Sequence, residues 1–359
     1  MLNKNLQILY KPSESITIDE QLYPYRGHTK FTQYMPSKPA KYGIKVWWIC
    51  NKETKYPLQG IMYKGKTGGQ REKSQGERVV KELVSNYKNR GRNVTMNNFF
   101  TTLPLVKLLL SWNLTVVGTL RKNKTYIPRV MAASKKREEH STIFGFQEKI
   151  CICSYVPKKN RSTILLSSMH LDAHIPENNN PKKKPDIILY YNKHKIGVDT
   201  MDQMLGQYTT QRRSNRWPLV FFYNILDVAA LASYIIYYEA NPMLKKKTCE
   251  RRLFLRQLGE DLARPAIEER ANNVTKIYNI KTAIESIIGK INPVIPMVEE
   301  NSAGRKKIIG DCHICNSQPI KKRRKTKKSC SNCLLAVCNE HSVNQVICTL
   351  CNKFLLIIT

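Results

Sequence analysis

Eight cysteine and histidine residues near the end of the chain occur as four pairs, each with two intervening residues. The pairs are Cys312 and Cys315, Cys330 and Cys333, Cys338 and His341, and Cys348 and Cys351. This spacing lets one reversal of the chain direct two donor atoms at one metal ion, and thiolate and imidazole are donors that zinc prefers. Because a tetrahedral site takes four ligands, the pattern predicts two structural zinc ions.

The short interval between Cys333 and Cys338 favours an interleaved arrangement. Pairs one and three would then bind one zinc ion and pairs two and four the other, as in a cross-brace finger. A module this small has little core, so the metal would supply most of its folding free energy, roughly 10–16 kcal/mol per site. The other four cysteines are scattered and are expected to be plain core or surface thiols: Cys50, Cys151, Cys153 and Cys249.

Three aspartates are candidates for carboxylate chemistry. Asp19 ends the alternating segment SITID, whereas Asp199 and Asp202 lie three residues apart in GVDTMDQM, which would place them on one face of a helix. Each has a structural alternative, since Asp19 could be a turn residue and Asp199 could cap a helix after Gly197. The residue types alone leave these alternatives open.

The stretch VTMNNFF, residues 94–100, places two amides between a predicted strand and a predicted helix. Open α/β sheets put their working groups at such strand ends. Asn97 and Asn98 stand where a carboxylate would have been expected for chemistry. Thr101 or Thr102 can cap the following helix, with Pro104 in its first turn.

The surrounding pattern predicts an α/β fold. Strands are expected at 15–19, 41–50, 56–63, 93–98 and 114–123, with a helix at 77–90 and another after the amides. Three antiparallel strands followed by strand–helix–strand units match a mixed sheet of the ribonuclease H-like type, because hairpins join antiparallel strands and helical crossovers join parallel ones.

The domain organisation is predicted from changes in composition along the chain. It comprises a catalytic core in two parts (1–123 and 186–208), an inserted domain (124–185), a helical segment (209–290), a linker (291–310) and a cysteine-rich domain (311–354). The run LVFFYNILDVAALASYIIYY at 219–238 is long enough to span a membrane. Asp227 near its middle would cost roughly 2.5–3.5 kcal/mol there, so a buried helix and no membrane association are expected.

A strong positive charge points to a polyanionic partner. Lys and Arg number 60 and Asp and Glu 27, which gives a formal charge of +33. Nucleic acid is the most common partner of such a charge, although a merely basic surface is the alternative. The run KKRRKTKK at 321–328 could be a nuclear import signal, a phosphate-binding loop or a solvated loop. We expect a nuclear protein.

Several long blocks resemble the piggyBac transposase family. They are TIDEQLYPYRGHTKFTQYMPSKPAKYGIKVWW, NVTMNNFFTTLPLVKLL, VVGTLRKNK, YYNKHKIGVDTMDQM and RRSNRWP. The resemblance runs from about residue 11 to 240 and resumes in the cysteine region. It implies a cut-and-paste enzyme that cuts and joins DNA on a ribonuclease H-like fold with an inserted domain, where carboxylates hold two Mg²⁺ ions for in-line phosphoryl transfer.

The resemblance assigns roles to the candidate acids. Asp19 corresponds to the first acid, Asp199 to the third and Asp202 to its acidic neighbour, whereas the second acid falls at Asn97. An amide carries no charge, and loss of one close ion–carboxylate interaction costs on the order of 4 kcal/mol at an effective dielectric near 20, or about a thousandfold in rate. Asn98 would face the opposite way and cannot compensate. We therefore expect a weakened Mg²⁺ site and impaired cleavage.

The resemblance also implies a long N-terminal region that packs with the helices after the third acid to form a dimerisation and DNA-binding domain. Only 18 residues precede Asp19 here, so we expect the segment 209–290 to supply the second half only. The run around Trp217, Phe221 and Phe222 would then be poorly folded, or would expose an apolar patch. A homodimer would be compromised.

DNA resembling transposon ends is the expected partner. Basic residues near the acids are the candidate contacts, although each could be a solvated charge: Lys38, Lys41, Arg121, Lys122, Lys124, Arg212, Arg213 and Arg216. The alternative function is a protein-binding cross-brace finger, of the RING or PHD kind, on an inactive scaffold. A working nuclease that tolerates Asn97 is a third possibility.

Overall fold

The computed structural model describes most of the chain. The described residues are 1–65, 72–132, 137–177, 180–242, 250–272, 284, 310–318, 323–330 and 335–342. The chain divides into two units, Met1–Gly259 and Glu260–Thr359.

Nine strands of the first unit form one sheet. They are β1 (Ser15–Pro24), β2 (Thr32–Tyr34), β3 (Tyr42–Asn51), β4 (Pro57–Met62), β5 (Asn93–Met96), β6 (Thr115–Thr119), β7 (Thr142–Gln147), β8 (Ile150–Lys158) and β9 (Arg161–Ser167). The helices are α1 (Leu2–Ile8), α2 (Gln75–Leu83), α3 (Leu103–Ser111), α4 (Asp186–His194), α5 (Gly197–Gln207), α6 (Trp217–Ala240) and α7 (Glu250–Asn272).

The sheet is mixed, as predicted. Its strand order is β2-β3-β1-β5-β6-β9-β8-β7, and β4 pairs with the same edge of β3 as β2. The pairs of β1 with β3, β2 with β3 and β3 with β4 are antiparallel, whereas β1 with β5 and β5 with β6 are parallel. Helix α3 connects β5 to β6, and the connection from β1 to β5 runs through β2, β3, β4 and α2, so both parallel pairs have the long connection that parallel pairing requires. The predicted α/β class is therefore confirmed.

Several local predictions need correction. The alternating pattern at 15–19 predicts a half-buried strand, but β1 extends to Pro24 and its residues Ser15 to Ile18 are all buried, because helices cover the sheet. Asp19 therefore lies within a strand, and the alternative that it is a turn residue is wrong. The helix expected at 77–90 ends at Leu83 and is followed by a 3₁₀ turn at Ser85–Tyr87. Patterning also missed α1 and β2.

The predicted cap of α3 is present. The Thr102 side chain accepts a hydrogen bond from the backbone N–H of Leu105, and Pro104 stands in the first turn of the helix. A proline there costs nothing, because the first N–H groups of a helix have no partner within it. The amides of 97 and 98 are thus followed directly by a well-defined helix start.

The stretch 124–185 extends the main sheet. Strand β9 pairs with β6, and β8 and β7 follow in sequence towards the other sheet edge. Among its described residues, the strands expected in an inserted domain therefore continue the sheet of the core. Cys151 and Cys153 on β8 and Cys50 on β3 are buried, in line with the expectation of core thiols, whereas Cys249 lies outside the described residues.

Helix α6 combines buried polar groups with an exposed apolar side. Asp227 is buried and accepts hydrogen bonds from the Thr209 hydroxyl (2.6 Å) and from the backbone and hydroxyl of Thr210 (2.7 and 2.8 Å). Trp217 packs edge-on against Phe31, whereas Phe222 is 49% exposed. By length and composition α6 is the one helix of the described residues that could cross a membrane. The absence of membrane association stays a prediction.

Helix α5 crosses β1 at a glycine. A Cβ atom on Gly197 would lie 2.7 Å from Thr17 Oγ1 and 2.9 Å from Thr17 Cβ. The helix begins at Gly197, so Asp199 lies in its first turn and the alternative that Asp199 caps the helix is wrong. This close approach sets the distance between the two elements that carry the candidate acids.

We predict that Gly197→Ala destabilises the protein by about 1–3 kcal/mol, because the added methyl group overpacks the contact between α5 and β1. A urea titration followed by tryptophan fluorescence measures this. Gly206→Ala is the matched control in the same helix, where a Cβ atom meets nothing within 4 Å. We expect it to stabilise slightly, by about 0.5–1 kcal/mol. Equal effects of the two substitutions would contradict the close approach.

Candidate functional site

Parallel pairing of β1 with β5 places Asp19 beside Asn97. The last registered pair is Ile18 with Met96, and each candidate residue is the next one along its own strand. Residues in register on parallel strands point to the same face of the sheet, so one step beyond the last pair the side chains of Asp19 and Asn97 lie side by side. The order of the chain thus brings the first acid and the amide together across two strands that are not sequential.

The amide of Asn97 is oriented by its own backbone. Asn97 Oδ1 accepts the backbone N–H of Phe99 at 2.8 Å, so the amide nitrogen must face the other way. Asn97 Nδ2 donates to Asp19 Oδ1 at 2.7 Å and lies 3.3 Å from Glu20 Oε2. The group that faces the acids is therefore a donor and not a metal ligand.

Lys38 provides the cation of the site. Lys38 Nζ lies 2.8 Å from Asp199 Oδ1, and 14% of the Lys38 side chain is exposed against 59% for Asp199. Burial lowers the pKa of Lys38, but the hydrogen bond and charge of Asp199 outweigh it and raise the pKa above its ordinary value. Asp19 and Glu20 act in the same sense. An ammonium group of this chain thus balances the acids.

Asp202 is held by a network of buried polar side chains. Gln21 Nε2 donates to Asp202 Oδ1 at 2.8 Å, and Gln21 Oε1 accepts Trp48 Nε1 at 2.8 Å. Asn224 of α6 contacts the same glutamine amide at 3.3 Å. Burial raises the pKa of Asp202, whereas the hydrogen bond from Gln21 acts against that rise.

Asp19 is the most perturbed acid of the site. Burial, with the neighbouring carboxyl group of Glu20, raises the pKa of Asp19 to about 8. A carboxyl group that gives up solvent next to another carboxyl group favours its neutral form. Sequence reasoning missed Glu20 and Gln21 in TIDEQ. Glu20 is expected to face away from Asp19, because successive strand residues point to opposite faces. Gln21 is expected to share the face of Asp19, so the alternation of the strand could have found it.

Two cavities border the candidate site. The larger, of about 1260 Å³, is lined by Asp199 and Asp202 together with Lys38, Arg212 and Arg213. The other, of about 520 Å³, is lined by Arg121 and Lys124 together with Asn98, Phe99 and the start of α2. Lys41, Lys122 and Arg216 line neither of these two cavities.

Four predicted metal ligands come together in the second unit. Their ligand atoms, from Cys312, Cys315, Cys338 and His341, all lie within 4.8 Å of one another. Cys315 Sγ is 3.8 Å from Cys338 Sγ, and His341 Nδ1 is 3.4 and 3.3 Å from these two sulfur atoms. A tetrahedral zinc ion holds such atoms roughly 3.5–3.8 Å apart. The cluster therefore fits a zinc ion, as predicted for pairs one and three.

The elements around this cluster are short. Strands β10 (Gly310–Asp311) and β11 (Lys325–Thr326) pair antiparallel, and helix α8 (His313–Ser317) carries Cys315.

Of the second predicted zinc site, one ligand lies among the described residues. Of its four predicted ligands, Cys330 is buried in the same small core as the Cys₃His cluster. The other three ligands, Cys333, Cys348 and Cys351, lie outside the described residues. The metal group found among the described residues contains Cys312, Cys315, Cys338 and His341 and none of the second set. A zinc ion held by Cys330, Cys333, Cys348 and Cys351 therefore stays a prediction.

Known proteins that are similar to this chain identify its family. A sequence profile described as "Transposase IS4" matches residues 1–234. The chain belongs to the piggyBac-type transposase family.

Relatives of this piggyBac-type chain include two human proteins. It is 26% identical over 251 residues to "PiggyBac transposable element-derived protein 3", a match that covers 60% of this chain and 40% of that protein. A stretch of the same length matches "Chimeric ERCC6-PGBD3 protein" at 26% identity and covers 22% of that protein. The matched region thus spans less than half the length of either human relative.

A solved structure matches over most of this piggyBac-type chain. The cryo-EM structure of the piggyBac transposase synaptic complex with hairpin DNA matches with a TM-score of 0.75 and 35% identity. The match covers 95% of this chain and 70% of the chain in that complex. The mixed sheet described above is therefore a fold that this family shares.

The candidate acids of this piggyBac-type chain lack one carboxylate of a paired-magnesium site and are partnered by groups of the chain itself. Asn97 turns a donor towards Asp19, and Lys38 Nζ pairs with Asp199 at 2.8 Å. Among the described residues, the ligand atoms of the Cys₃His cluster lie close enough together to hold a metal ion. The candidate acids form no such group of three or more within that part of the chain. A hard cation would need anionic oxygen atoms that converge on one point.

The raised pKa of Asp19 predicts how stability depends on pH. The folded state holds a proton up to about pH 8, whereas the unfolded chain releases it near 3.8. The folded state then binds more protons within this window, so the free energy of unfolding falls as the pH rises through it. Asp19→Asn removes this contribution and flattens the profile, which urea midpoints at several pH values measure. Asp199→Asn is the exposed control, and an unchanged profile in Asp19→Asn would refute the assignment.

Loss of one cluster ligand predicts loss of metal. We expect Cys315→Ala to release about one equivalent of zinc, because a three-ligand site with little core binds zinc far more weakly. Cys151→Ala, which removes a buried thiol from β8, should leave the zinc content unchanged. Metal analysis of the purified chains by plasma mass spectrometry decides this, and equal zinc contents in both variants would speak against the cluster.

Proposed function

We propose that this chain is a transposase-derived, DNA-binding nuclear protein whose capacity for strand cleavage is impaired. The observation that carries the proposal is the hydrogen bond from Asn97 Nδ2 to Asp19 Oδ1, at 2.7 Å, where the family resemblance calls for a second carboxylate. A neutral donor there removes one negative charge from the site. The proposed catalytic set is Asp19, Asn97, Asp199 and Asp202 on a ribonuclease H-like core, with Mg²⁺ bound weakly.

DNA binding is supported by the positive charge of the chain and by the position of basic side chains at the two cavities. The chain carries a formal charge of +33. Lys38, Arg212 and Arg213 line the cavity that also holds two of the acids. Arg121 and Lys124 line the other cavity, beside Phe99. Phosphate contacts from such residues would supply affinity with a strong dependence on salt. Lys41, Lys122 and Arg216 are proposed as further contacts.

The cysteine-rich segment is proposed to be a cross-brace module with two zinc ions that recognises transposon-end-like DNA. The Cys₃His cluster of pairs one and three supports the interleaved order. In that order the second ion would be bound by Cys330, Cys333, Cys348 and Cys351. Basic side chains flank the cluster, and Arg323, for example, is 81% exposed and pairs with Asp311 at 3.1 Å. Zinc in this closed site would hold the fold together and leave no position open for a substrate.

The decisive experiment compares the wild type with Asn97→Asp and Asn98→Asp. Both variants add one carboxylate, but Asn98 is exposed and bonds Arg121 through its backbone oxygen, so it is the matched control. We expect only Asn97→Asp to gain affinity for Mn²⁺ in calorimetry, by up to about a thousandfold. We also expect only that variant to gain metal-dependent nicking of supercoiled plasmid.

Two outcomes would overturn different parts of the proposal. Nicking by the wild type at the rate of Asn97→Asp would show that the amide does not impair cleavage. DNA binding is measured in parallel by fluorescence anisotropy at several salt concentrations, where all three chains should show a steep salt dependence. Absence of binding at low salt would instead favour a finger that recognises protein.

A further inference from the structure

Two tyrosine side chains lie exposed and adjacent on the hairpin of β2 and β3. Tyr34 and Tyr42 are registered partners of the antiparallel pair, and their ring centroids are 4.8 Å apart with planes tilted by 39°. Tyr34 is 58% exposed and Tyr42 is 48% exposed. Two exposed and adjacent aromatic rings offer faces against which a planar group can stack.

The pair borders a concave surface with unused hydrogen-bond donors. A cavity of about 390 Å³ is lined by both tyrosines together with Arg26, His28 and Thr29. Within the part of the chain that the structure describes, the Arg26 guanidinium and the His28 imidazole make no hydrogen bond or ion pair. A cationic fork beside two aromatic faces is the combination that recognises a phosphate next to a base.

This surface is continuous with the basic cavity of the candidate site. Arg26 and Tyr42 line both the 390 Å³ cavity and the 1260 Å³ cavity, which also holds Lys38, Arg212 and Arg213. A strand of nucleic acid that follows these cations past the acids would therefore reach the tyrosines. Charge complementarity thus favours a nucleic-acid strand over an apolar peptide as the occupant.

We propose that Tyr34 and Tyr42 form a stacking platform for unpaired nucleobases of single-stranded DNA, with Arg26 holding the adjoining phosphate. This inference rests on the proposed DNA-binding function. A base in a duplex is already stacked on both faces, whereas an unpaired base can place its face against an aromatic ring. The platform gives this side of the DNA-binding surface a preference for frayed, overhanging or displaced strands.

The cross-strand pair also stabilises the hairpin, so the test must separate stacking from folding. A double variant, Tyr34→Leu with Tyr42→Leu, keeps an apolar cross-strand contact but removes both aromatic faces. A second double variant, Tyr34→Phe with Tyr42→Phe, keeps the faces and loses only the hydroxyl groups. Phe146→Leu is the matched control, because Phe146 is 48% exposed on β7 at the opposite edge of the sheet.

The experiment uses the full chain and labelled oligonucleotides in fluorescence anisotropy. We expect the double leucine variant to bind an oligothymidylate about ten- to a hundredfold more weakly than the wild type, while its affinity for a blunt duplex changes less than about twofold. The double phenylalanine variant and Phe146→Leu should bind both probes as the wild type does. A 2-aminopurine base in the single strand should be quenched by the wild type and not by the double leucine variant.

Each other outcome is informative. Equal single-strand affinity in the wild type and the double leucine variant overturns the platform while duplex binding keeps the proposed function intact. Parallel losses for the single strand and the duplex, in a double leucine variant whose thermal unfolding matches that of the wild type, also overturn it, because the tyrosines would then not distinguish unpaired bases. If the wild type binds neither probe at low salt, the proposed DNA-binding function itself fails.

Discussion

The parallel register of β1 and β5 is the constraint on which the candidate site depends. It fixes Ile18 opposite Met96, and the next residue on each strand is then Asp19 on one side and Asn97 on the other. A shift of one strand by one residue would turn its side chains to the opposite face of the sheet, so that Asp19 and Asn97 would no longer face the same way. Ile16 and Ile18 are fully buried on one face, and Thr17 packs against Gly197 on the other. Such a shift would bring an isoleucine into the close contact with Gly197, so the register is strongly determined.

Given this register, the acids are each partnered by a group of the same chain. Asn97 donates to Asp19, Lys38 pairs with Asp199, and Gln21 donates to Asp202. Burial, together with the neighbouring carboxyl group of Glu20, raises the pKa of Asp19, whereas the charge of Lys38 acts against that rise. The Lys38 ammonium and the Asn97 amide therefore occupy carboxylate oxygen atoms that a metal ion would otherwise bind. The same partnering of the acids explains the electrostatics of the pocket and the weak Mg²⁺ binding that we propose.

The two units are stabilised by different physics. The first buries a large apolar core around a nine-stranded sheet, in which a polar residue such as Asp227 is held by several hydrogen bonds. The described part of the second unit has a small cluster built largely of cysteines, Ile314 and Val337. Burial of so little surface offsets little conformational entropy, which is why a metal ion is expected to contribute so much there.

Features of this chain that depend on a few neighbouring residues could be predicted, whereas features that depend on long-range packing could not. The amino-acid sequence alone determined the elements that depend on local pattern. The strand Tyr42–Asn51, the cap at Thr102 and the spacing of the first and third ligand pairs were readable because hydrophobic period, capping and ligand spacing act over a few residues. Only the tertiary structure decided that Asn97 turns its nitrogen to Asp19, that Lys38 reaches Asp199 and that Glu20 and Gln21 join the site. Those contacts join residues up to 181 positions apart, and their geometry follows from sheet register and helix packing, which no local pattern encodes.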